Sequence, residues 1–239
     1  MSYDRTLEFT RHVRTDQRGA GCCEERFVII MEQKLIGGVE SVVWDSAIAM
    51  CKYLERRNLE RHRGERSMFA GKSCLELGSG VGLCGIFVGA LQARRVLLTD
   101  LNETLPHLSS NIDRNLHLWK NIDGKTQVNT EVLDWTCPDI NPAVDSELWD
   151  YIIAADCIYY EASLDPFLAT IKKLSTKGRT QIICSYEERD IGKPKAVQRE
   201  FLTKIRAEDS EFDVIEVPLA EMHPEYCSPD IHILILRLK

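Results

Sequence analysis

The chain carries its clearest structural signal at residues 73–82, which read SCLELGSGVG. An apolar run that contains one acid, Glu76, comes before the glycines and predicts a buried strand. Gly78 and Gly80 have no Cβ, so the backbone there can turn sharply and approach a ligand closely. The stretch therefore predicts a strand, a glycine turn and the start of a helix, in that order.

A second acidic residue, Asp100, follows the glycines at a spacing that is typical of nucleotide-binding folds. Asp100 ends another apolar run about 20 residues beyond the glycines. At the carboxyl end of a parallel strand, an acidic side chain can accept hydrogen bonds from both hydroxyls of a ribose. Together, the glycine turn and Asp100 predict a nucleoside-containing cofactor at the carboxyl edge of a parallel sheet.

The spacing of the glycines bears on which cofactor this is. A dinucleotide-binding site typically has the pattern G-x-G-x-x-G, and Gly78-x-Gly80-x-Gly82 does not match it. The register Gly80-x-Gly82-x-x-Gly85 does match, so a dinucleotide site is formally still open. A charged Glu76 would repel a pyrophosphate and suit a sulfonium or an ammonium. The pattern E-L-G-x-G-x-G resembles motif I of class I S-adenosylmethionine (SAM) methyltransferases. An NAD(P)-dependent oxidoreductase stays open as the alternative, although no obvious Tyr-x-x-x-Lys set accompanies it.

Composition limits the class of partner. The 239 residues are 44% hydrophobic and 28% charged with a net charge of −7, which indicates a single globular domain and disfavours nucleic acid as the main partner. One basic cluster stands out, but Glu55, Glu60 and Glu65 interleave with it, so we interpret it as a solvated helix end. Its members are Arg56, Arg57, Arg61, His62, Arg63 and Arg66.

Cysteine usage and the absence of targeting signals bear on location. The nine cysteines show no C-x-x-C spacing, and no secretory signal or membrane-length apolar run is evident. We therefore expect a reduced intracellular protein, cytoplasmic with the nucleus left open, monomeric and without a membrane partner. The six histidines are isolated, so we expect no metal.

The remaining pattern predicts an α/β fold in two parts. Residues 1–40 form a small N-terminal β extension packed on the core, with strands near 8–13 and 27–31 around a polar, glycine-rich loop. Residues 41–239 then alternate strands and helices, which predicts a parallel sheet covered on both faces. The strands are expected at 73–78, 95–100, 126–133, 150–156 and 179–186, and the helices from 45 or 46 and at 82–91, 103–116, 163–175 and 194–207. A final hairpin, 213–218 and 231–238 with a short loop, would add one antiparallel strand and complete a seven-stranded Rossmann-like sheet.

A second group of candidate site residues follows the fourth strand of this core. The run from Asp150 ends in Asp156, with Tyr159 and Tyr160 just beyond, at the same sheet edge as the glycine turn. The D-x-x-Y spacing of Asp156 and Tyr159 resembles the post-II motif of the family 16 protein methyltransferases, whose members mostly methylate lysine. The segments 42–47 (VVWDSA) and 133–135 (LDW) resemble other motifs of that family.

The resemblance implies a SAM-dependent protein-lysine methyltransferase domain at 41–239. In this interpretation Asp156 accepts hydrogen bonds from the substrate nitrogen, and Tyr159 narrows the channel for the lysine. The implied cofactor-binding residues are Trp44, Glu76, Gly78, Ser79, Gly80, Asp100, Trp135 and Ala155.

Three further segments are similar to family members that act on valosin-containing protein, an AAA ATPase chaperone: 154–164, 182–189 and 228–233. The resemblance thus implies that ATPase as the substrate, with an Hsp70-type chaperone or an elongation factor as the alternative. A non-catalytic SAM-fold protein that binds a chaperone is the alternative of another class.

Several site residues also have a plain structural interpretation. Trp44 and Trp135 would serve as core aromatics, and Asp156 would serve as a cap for the next helix. Because adjacent side chains are expected to diverge, at most one of Tyr159 and Tyr160 should enter the site. The other interpretations left open are Asp134 as a turn residue, His232 as a structural histidine, and Tyr186-Glu187 as either channel or surface.

Overall fold

The computed structural model describes residues 2–14, 22–61, 67–120, 125–137, 139–189 and 193–239. Within these ranges the chain forms a two-stranded and a seven-stranded sheet with helices. The strands are β1 (Ser2–Arg14), β2 (Cys22–Lys34), β3 (Ser73–Leu77), β4 (Arg95–Asp100), β5 (Gln127–Val132), β6 (Tyr151–Ala155), β7 (Gln181–Glu187), β8 (Phe212–Glu216) and β9 (Ile231–Leu238). The helices are α1 (Asp45–Arg61), α2 (Leu83–Ala90), α3 (Leu105–Asn115), α4 (His117–Lys120), α5 (Pro142–Asp145), α6 (Glu161–Leu174) and α7 (Lys193–Arg206).

The large sheet has the strand order β5-β4-β3-β6-β7-β9-β8. Its strands pair in parallel except for β9, which runs antiparallel to both β7 and β8. The predicted seven-stranded α/β fold with an antiparallel last strand is therefore confirmed. The strand order reverses between β3 and β6, and in such sheets ligands bind beside the carboxyl ends of the strands at that point.

Several details of the fold differ from the prediction, among them the short helices α4 and α5, which were not predicted. The strands of the N-terminal hairpin run well beyond 8–13 and 27–31. The extension of β2 was not predicted because its buried position there is the polar residue Gln33, which interrupts the apolar alternation. The expected glycine-rich loop falls on 15–21, outside the described residues. The loop between β8 and β9 is not short, since residues 217–230 contain a turn of 3-10 helix and anchor Val217 and Met222 in the core.

The N-terminal hairpin packs on α2, which is buried at every position. The rings of Phe9 and Phe87 lie 4.9 Å apart between centroids, and Phe27 joins them. The Arg11 guanidinium donates to the carbonyls of Ala90 and Leu118 at 2.8 and 2.7 Å, so it caps the end of α2. The hairpin and the core thus share one hydrophobic cluster, and the proposed boundary at residue 40 stays a prediction.

Two asparagines of α3 tie the hairpin to the central sheet. The Asn111 amide accepts from the Glu32 backbone N–H and donates to the Val81 carbonyl, at 2.8 and 3.1 Å. The Asn115 amide pairs with the backbone of Ile30. Because Val81 belongs to the glycine turn, Asn111 links β2 directly to that turn.

Helix α1 carries the basic cluster that the sequence placed at a solvated helix end. Arg56 pairs with Glu60 one turn later at 2.8 Å, and the helix ends at Arg61. His62, Arg63 and Arg66 lie outside the described residues. None of the helices in the described part is long and apolar enough to cross a membrane.

Candidate active site

A cavity of about 810 Å³ opens at the carboxyl ends of β3, β4 and β6. It brings together every residue that the sequence predicted for the site: Trp44, Glu76, Gly78, Ser79, Gly80, Asp100, Trp135, Ala155, Asp156 and Tyr159. Their roles in binding and catalysis stay predictions, and the geometry shows what each can do.

The glycine turn forms the floor of the cavity. Gly78 and Gly80 have φ values of 59° and 52°, which side chains rarely tolerate. A Cβ on Gly78 would lie 2.8 Å from Sγ of Cys157 and 3.2 Å from the Trp135 ring. The turn therefore needs glycine at this position for both its backbone angle and its packing.

Asp100 faces the cavity from the end of β4. Its Oδ2 accepts the backbone N–H of Gly80 at 2.8 Å, and its Oδ1 accepts that of Leu101 at 2.7 Å. Burial raises the pKa of this carboxyl, while these hydrogen bonds oppose the shift. The Thr104 side chain is a third partner of this carboxyl, so acceptor capacity for a ribose hydroxyl remains.

Glu76 lies beneath the glycine turn with only 3% of its surface exposed. Its Oε2 accepts the backbone N–H of Gly85 in the first turn of α2. Burial raises its pKa to about 8, so most of this carboxyl is protonated at pH 7 in the ligand-free protein. Burial therefore disfavours the negative charge that was expected to suit the cofactor, and the role of that charge in the choice of cofactor stays a prediction.

The two tryptophans both line the cavity. Trp44 donates its ring N–H to the Val39 carbonyl at 2.8 Å. The Trp135 ring packs on Phe167, 4.9 Å between centroids, and therefore serves the core as well as the cavity wall.

Asp156 follows β6 in the left-handed region, with φ of 55°. Its Oδ1 accepts the backbone N–H of Glu187 at 3.3 Å, and its Oδ2 accepts Nη2 of Arg189 at 3.0 Å. Burial raises its pKa, and both of these partners oppose that rise. Helix α6 begins beyond Asp156 with Tyr160 at its N-cap and no side-chain cap, so the capping interpretation of Asp156 is wrong.

The tyrosines after β6 correct another expectation. The rings of Tyr159 and Tyr160 do not diverge but lie 4.4 Å apart, and both line the cavity. Tyr160 has extended backbone and is the N-cap residue of α6. Burial raises the pKa of Tyr159 far above its usual range, so its phenol is neutral.

Other residues singled out in the sequence have structural roles. Asp134 closes a turn by accepting from the backbone and hydroxyl of Thr136, although it also lines the cavity. His232 stacks on Tyr186 and contacts Glu216 at 2.8 Å. Tyr186 is buried in the core, so it does not form the acceptor channel.

Sequence reasoning did not identify Arg189, Gln198 and Glu40 as site residues, although all three line the cavity. Arg189 follows directly after β7, the strand beside β6, so the rule that parallel strands share an edge would have placed it near Asp156. Glu40 comes from the loop after β2, and a Cβ on Gly80 would meet its carbonyl at 3.2 Å. No local pattern connects Glu40 to the glycine turn.

These residues fit SAM. Gly78 and Gly80 line the cavity with backbone alone, and the Asp100 carboxylate beside them can accept from a ribose hydroxyl. The cavity volume lies in the range of small-molecule sites. Among the described residues no group of three or more His, Cys, Asp or Glu side chains is placed to hold a metal.

Comparison with known structures supports the fold. A candidate methyltransferase solved with SAH matches with a TM-score of 0.55 over 88% of this chain and 54% of its own, at 12% identity. A candidate SAM-dependent methyltransferase from Streptococcus mutans matches with a TM-score of 0.53 over 88% and 53%, at 14% identity.

Comparison of sequences shows the family. A family model described as lysine methyltransferase matches residues 24–208, well over half of the chain. Protein N-lysine methyltransferase METTL21A of Danio rerio is 32% identical over 184 residues, which are 75% of this chain and 72% of that protein. EEF1A lysine methyltransferase 3 of Mus musculus is 32% identical over 57% of this chain and 51% of its own length. The oxidoreductase alternative is thereby excluded, and the chain belongs to the lysine methyltransferase family as a SAM-dependent protein-lysine methyltransferase.

Proposed function

We propose that this protein-lysine methyltransferase modifies a lysine of valosin-containing protein, as a monomer in the cytoplasm or nucleus. The observation that carries the proposal is the adjacency of three segments, 154–164, 182–189 and 228–233. The first contains Asp156, the second contacts Asp156, and the third pairs with the second. These are the segments that resemble family members acting on that ATPase.

Backbone contacts join the three segments into one wall. The N–H of Glu187 donates to Asp156, and the N–H of Glu188 donates to the Asp230 carbonyl at 2.6 Å. Tyr186 pairs with His232 across β7 and β9. The resemblance is therefore concentrated beside the carboxylate that would receive the acceptor lysine, where substrate preference would be expressed.

The cavity residues suggest how a lysine would be methylated. SAM, when bound, supplies an already activated methyl group, so the protein has to bind, orient and desolvate. Asp100 and the glycine turn would hold the nucleoside end, with Trp44 at the other end of the cavity.

The acceptor amine must be neutral, whereas the usual pKa of lysine is about 10.4. Tyr159 and Trp44 would desolvate the lysine stem and lower that pKa. Asp156 would accept a hydrogen bond from the amine and aim its lone pair, while the released proton passes to water.

An elongation factor is the second candidate substrate. The mouse relative named EEF1A lysine methyltransferase 3 is as similar in identity as METTL21A, at 32%. An Hsp70-type chaperone is the third candidate, on the family resemblance alone. A non-catalytic role in chaperone binding is the alternative of another class.

The experiment compares purified valosin-containing protein, an Hsp70 and elongation factor 1A side by side, each with enzyme and labelled SAM. Each substrate is first shown to be folded and unmodified, and Asp156→Asn serves as the catalytic control. We expect label on valosin-containing protein, released as methyl-lysine by acid hydrolysis. Label on the other two proteins alone would contradict the ATPase assignment. No label on any of the three, from enzyme that binds SAM, would contradict all three proposed substrates.

A further inference from the structure

The guanidinium of Arg189 bridges two carboxylates at the acceptor side of the cavity. Nη2 lies 3.0 Å from Oδ2 of Asp156, and Nη1 lies 2.9 Å from Oε2 of Glu187. Its Cζ lies 5.2 Å from the centre of the Trp44 ring, within the range of a cation–π contact. A fixed positive charge thus lies directly beside the carboxylate assigned to the substrate amine.

Arg189 is held in this position by its backbone as well. Its N–H donates to Oε1 of Gln198 at 3.2 Å, and Nε2 of Gln198 donates to the Glu187 carbonyl at 2.8 Å. Gln198 itself is buried. The cavity of about 810 Å³ is present with Arg189 in place, so the guanidinium need not leave to make room. Each oxygen of Asp156 still has a lone pair for an incoming N–H.

A lone carboxylate would work against the reaction. An anion beside an ammonium favours the charged form and holds the proton on the lysine. Yet the amine needs an acceptor that aims its lone pair. An uncompensated Asp156 would orient the amine while keeping it unreactive.

We infer that Arg189 is a positioning residue: it compensates the charge of Asp156, so that the acceptor amine loses its proton to water while Asp156 still orients it. The inference rests on the proposed lysine methylation. Arg189 does not touch the reacting atoms and acts through Asp156.

The other charges that face this pair do not cancel the effect. Glu187 pairs with Nη1 of the guanidinium. Its side chain is 31% exposed against 10% for Asp156, so water screens the charge of Glu187 more strongly. Asp45 at the start of α1 adds negative charge but pairs with Arg5 at 3.6 Å. Asp100 and Glu40 face the site from the cofactor side. Tyr159 and Cys157 are neutral because burial raises the pKa of each.

The first test is the pH dependence of kcat, measured with whichever protein the wild-type enzyme labels. Removing a unit charge about 5 Å away should raise the pKa of the acceptor amine. The midpoint of the rise in kcat with pH should therefore move up by about one to two pH units in Arg189→Gln. We expect a loss of about tenfold or more at pH 7.5 that largely recovers at pH 9.5. Arg189→Lys keeps the charge and should keep the midpoint, whereas Glu187→Gln should move it downward.

The second test needs no protein substrate. Sinefungin carries an amine where SAM carries its methyl-bearing sulfonium, and SAH has neither. In Arg189→Gln, the uncompensated carboxylate should raise the affinity for sinefungin relative to SAH by about tenfold at pH 7, measured by calorimetry. If the wild-type enzyme labels none of the three proteins, the proposed substrates are contradicted. The inference about Arg189 is then still tested by the ratio of sinefungin to SAH affinity.

Three results would overturn the inference. One is a loss of kcat at all pH values without a shifted midpoint, which indicates a merely structural role. Another is a higher kcat/KM in Arg189→Gln, which would mean that the guanidinium blocks the acceptor position. The last is an unchanged ratio of sinefungin to SAH affinity in a variant whose melting temperature and SAH affinity match the wild type. If Arg189→Gln does not fold, Glu187→Gln provides the test: a downward shift of the kcat midpoint supports the inference, and no shift or an upward shift contradicts it.

Discussion

Oε2 of Glu76 accepts the backbone N–H of Gly85 at 2.9 Å, so a buried carboxyl lies against the first turn of α2. The backbone N–H groups in the first turn of a helix stabilise an anion there. Burial nevertheless raises the pKa of Glu76 to about 8. The group is consequently a proton-binding site within the cofactor cavity.

This proton makes stability depend on pH in a defined window. Because the folded pKa of Glu76 lies above its usual 4.5, the native state holds an extra proton between pH 4.5 and 8, and stability falls as pH rises through that window. At about 1.4 kcal/mol per pKa unit, the loss is on the order of 3–5 kcal/mol. Glu76→Gln keeps the acceptor for Gly85 and should remove this slope. Urea unfolding of the ligand-free proteins at pH 5 and pH 8 measures it, and parallel pH profiles would contradict it.

Asp100→Ala should weaken SAM binding strongly. Hydrogen bonds to a charged group contribute about 1.5–3 kcal/mol each, so losing two ribose contacts predicts a Kd at least about 100-fold higher. The change also leaves the Gly80 N–H without its acceptor. Calorimetry with SAM is the measurement, with the exposed Asp113→Ala on α3 as the matched control. Equal affinities for both variants would remove Asp100 from the site.

Asp156→Asn should impair turnover much more than cofactor binding. Asparagine tolerates the left-handed backbone at this position, so the fold is retained while the charge is lost. One end of the amide would donate rather than accept, and a misplaced acceptor amine can cost about 100-fold in rate. Single-turnover kinetics and SAM affinity separate the two effects. A kcat within about a factor of two of the wild type would show that Asp156 is not in the reaction.

Gly78→Ala and Gly178→Ala form a matched pair for the glycine turn. Both residues have positive φ, 59° and 74°, so each variant pays a backbone cost of about 1–2 kcal/mol. A Cβ at Gly178 meets nothing within 4 Å, whereas one at Gly78 meets Cys157 and Trp135. We expect Gly78→Ala to melt at lower temperature than Gly178→Ala and to lose SAM affinity, which Gly178→Ala should retain. Equal melting temperatures and equal SAM affinities in the two variants would mean that the close packing around Gly78 is not needed.

Much of the fold was predictable because its signals are local. Apolar runs and the spacing of the glycines locate β3, β4 and β6, and the shared edge of parallel strands then brings Asp100 and Asp156 to one cavity. The pairing of Tyr159 with Tyr160 was not predictable, since Tyr160 has extended backbone, in which adjacent side chains normally point to opposite sides. The contact of Glu40 with the glycine turn depends on the path of the chain after β2, which no pattern encodes. The protonation of Glu76 depends on burial, which a sequence shows only indirectly.

The position of β9 has a consequence during synthesis. Residues 231–238 pair with β7 and separate it from β8, so they hold the segment that carries Glu187 and Arg189. A growing chain on the ribosome that ends before residue 231 has the glycine turn and Asp100 but lacks the strand that fixes the acceptor wall. The acceptor wall is therefore complete only once this strand has emerged and inserted between β7 and β8.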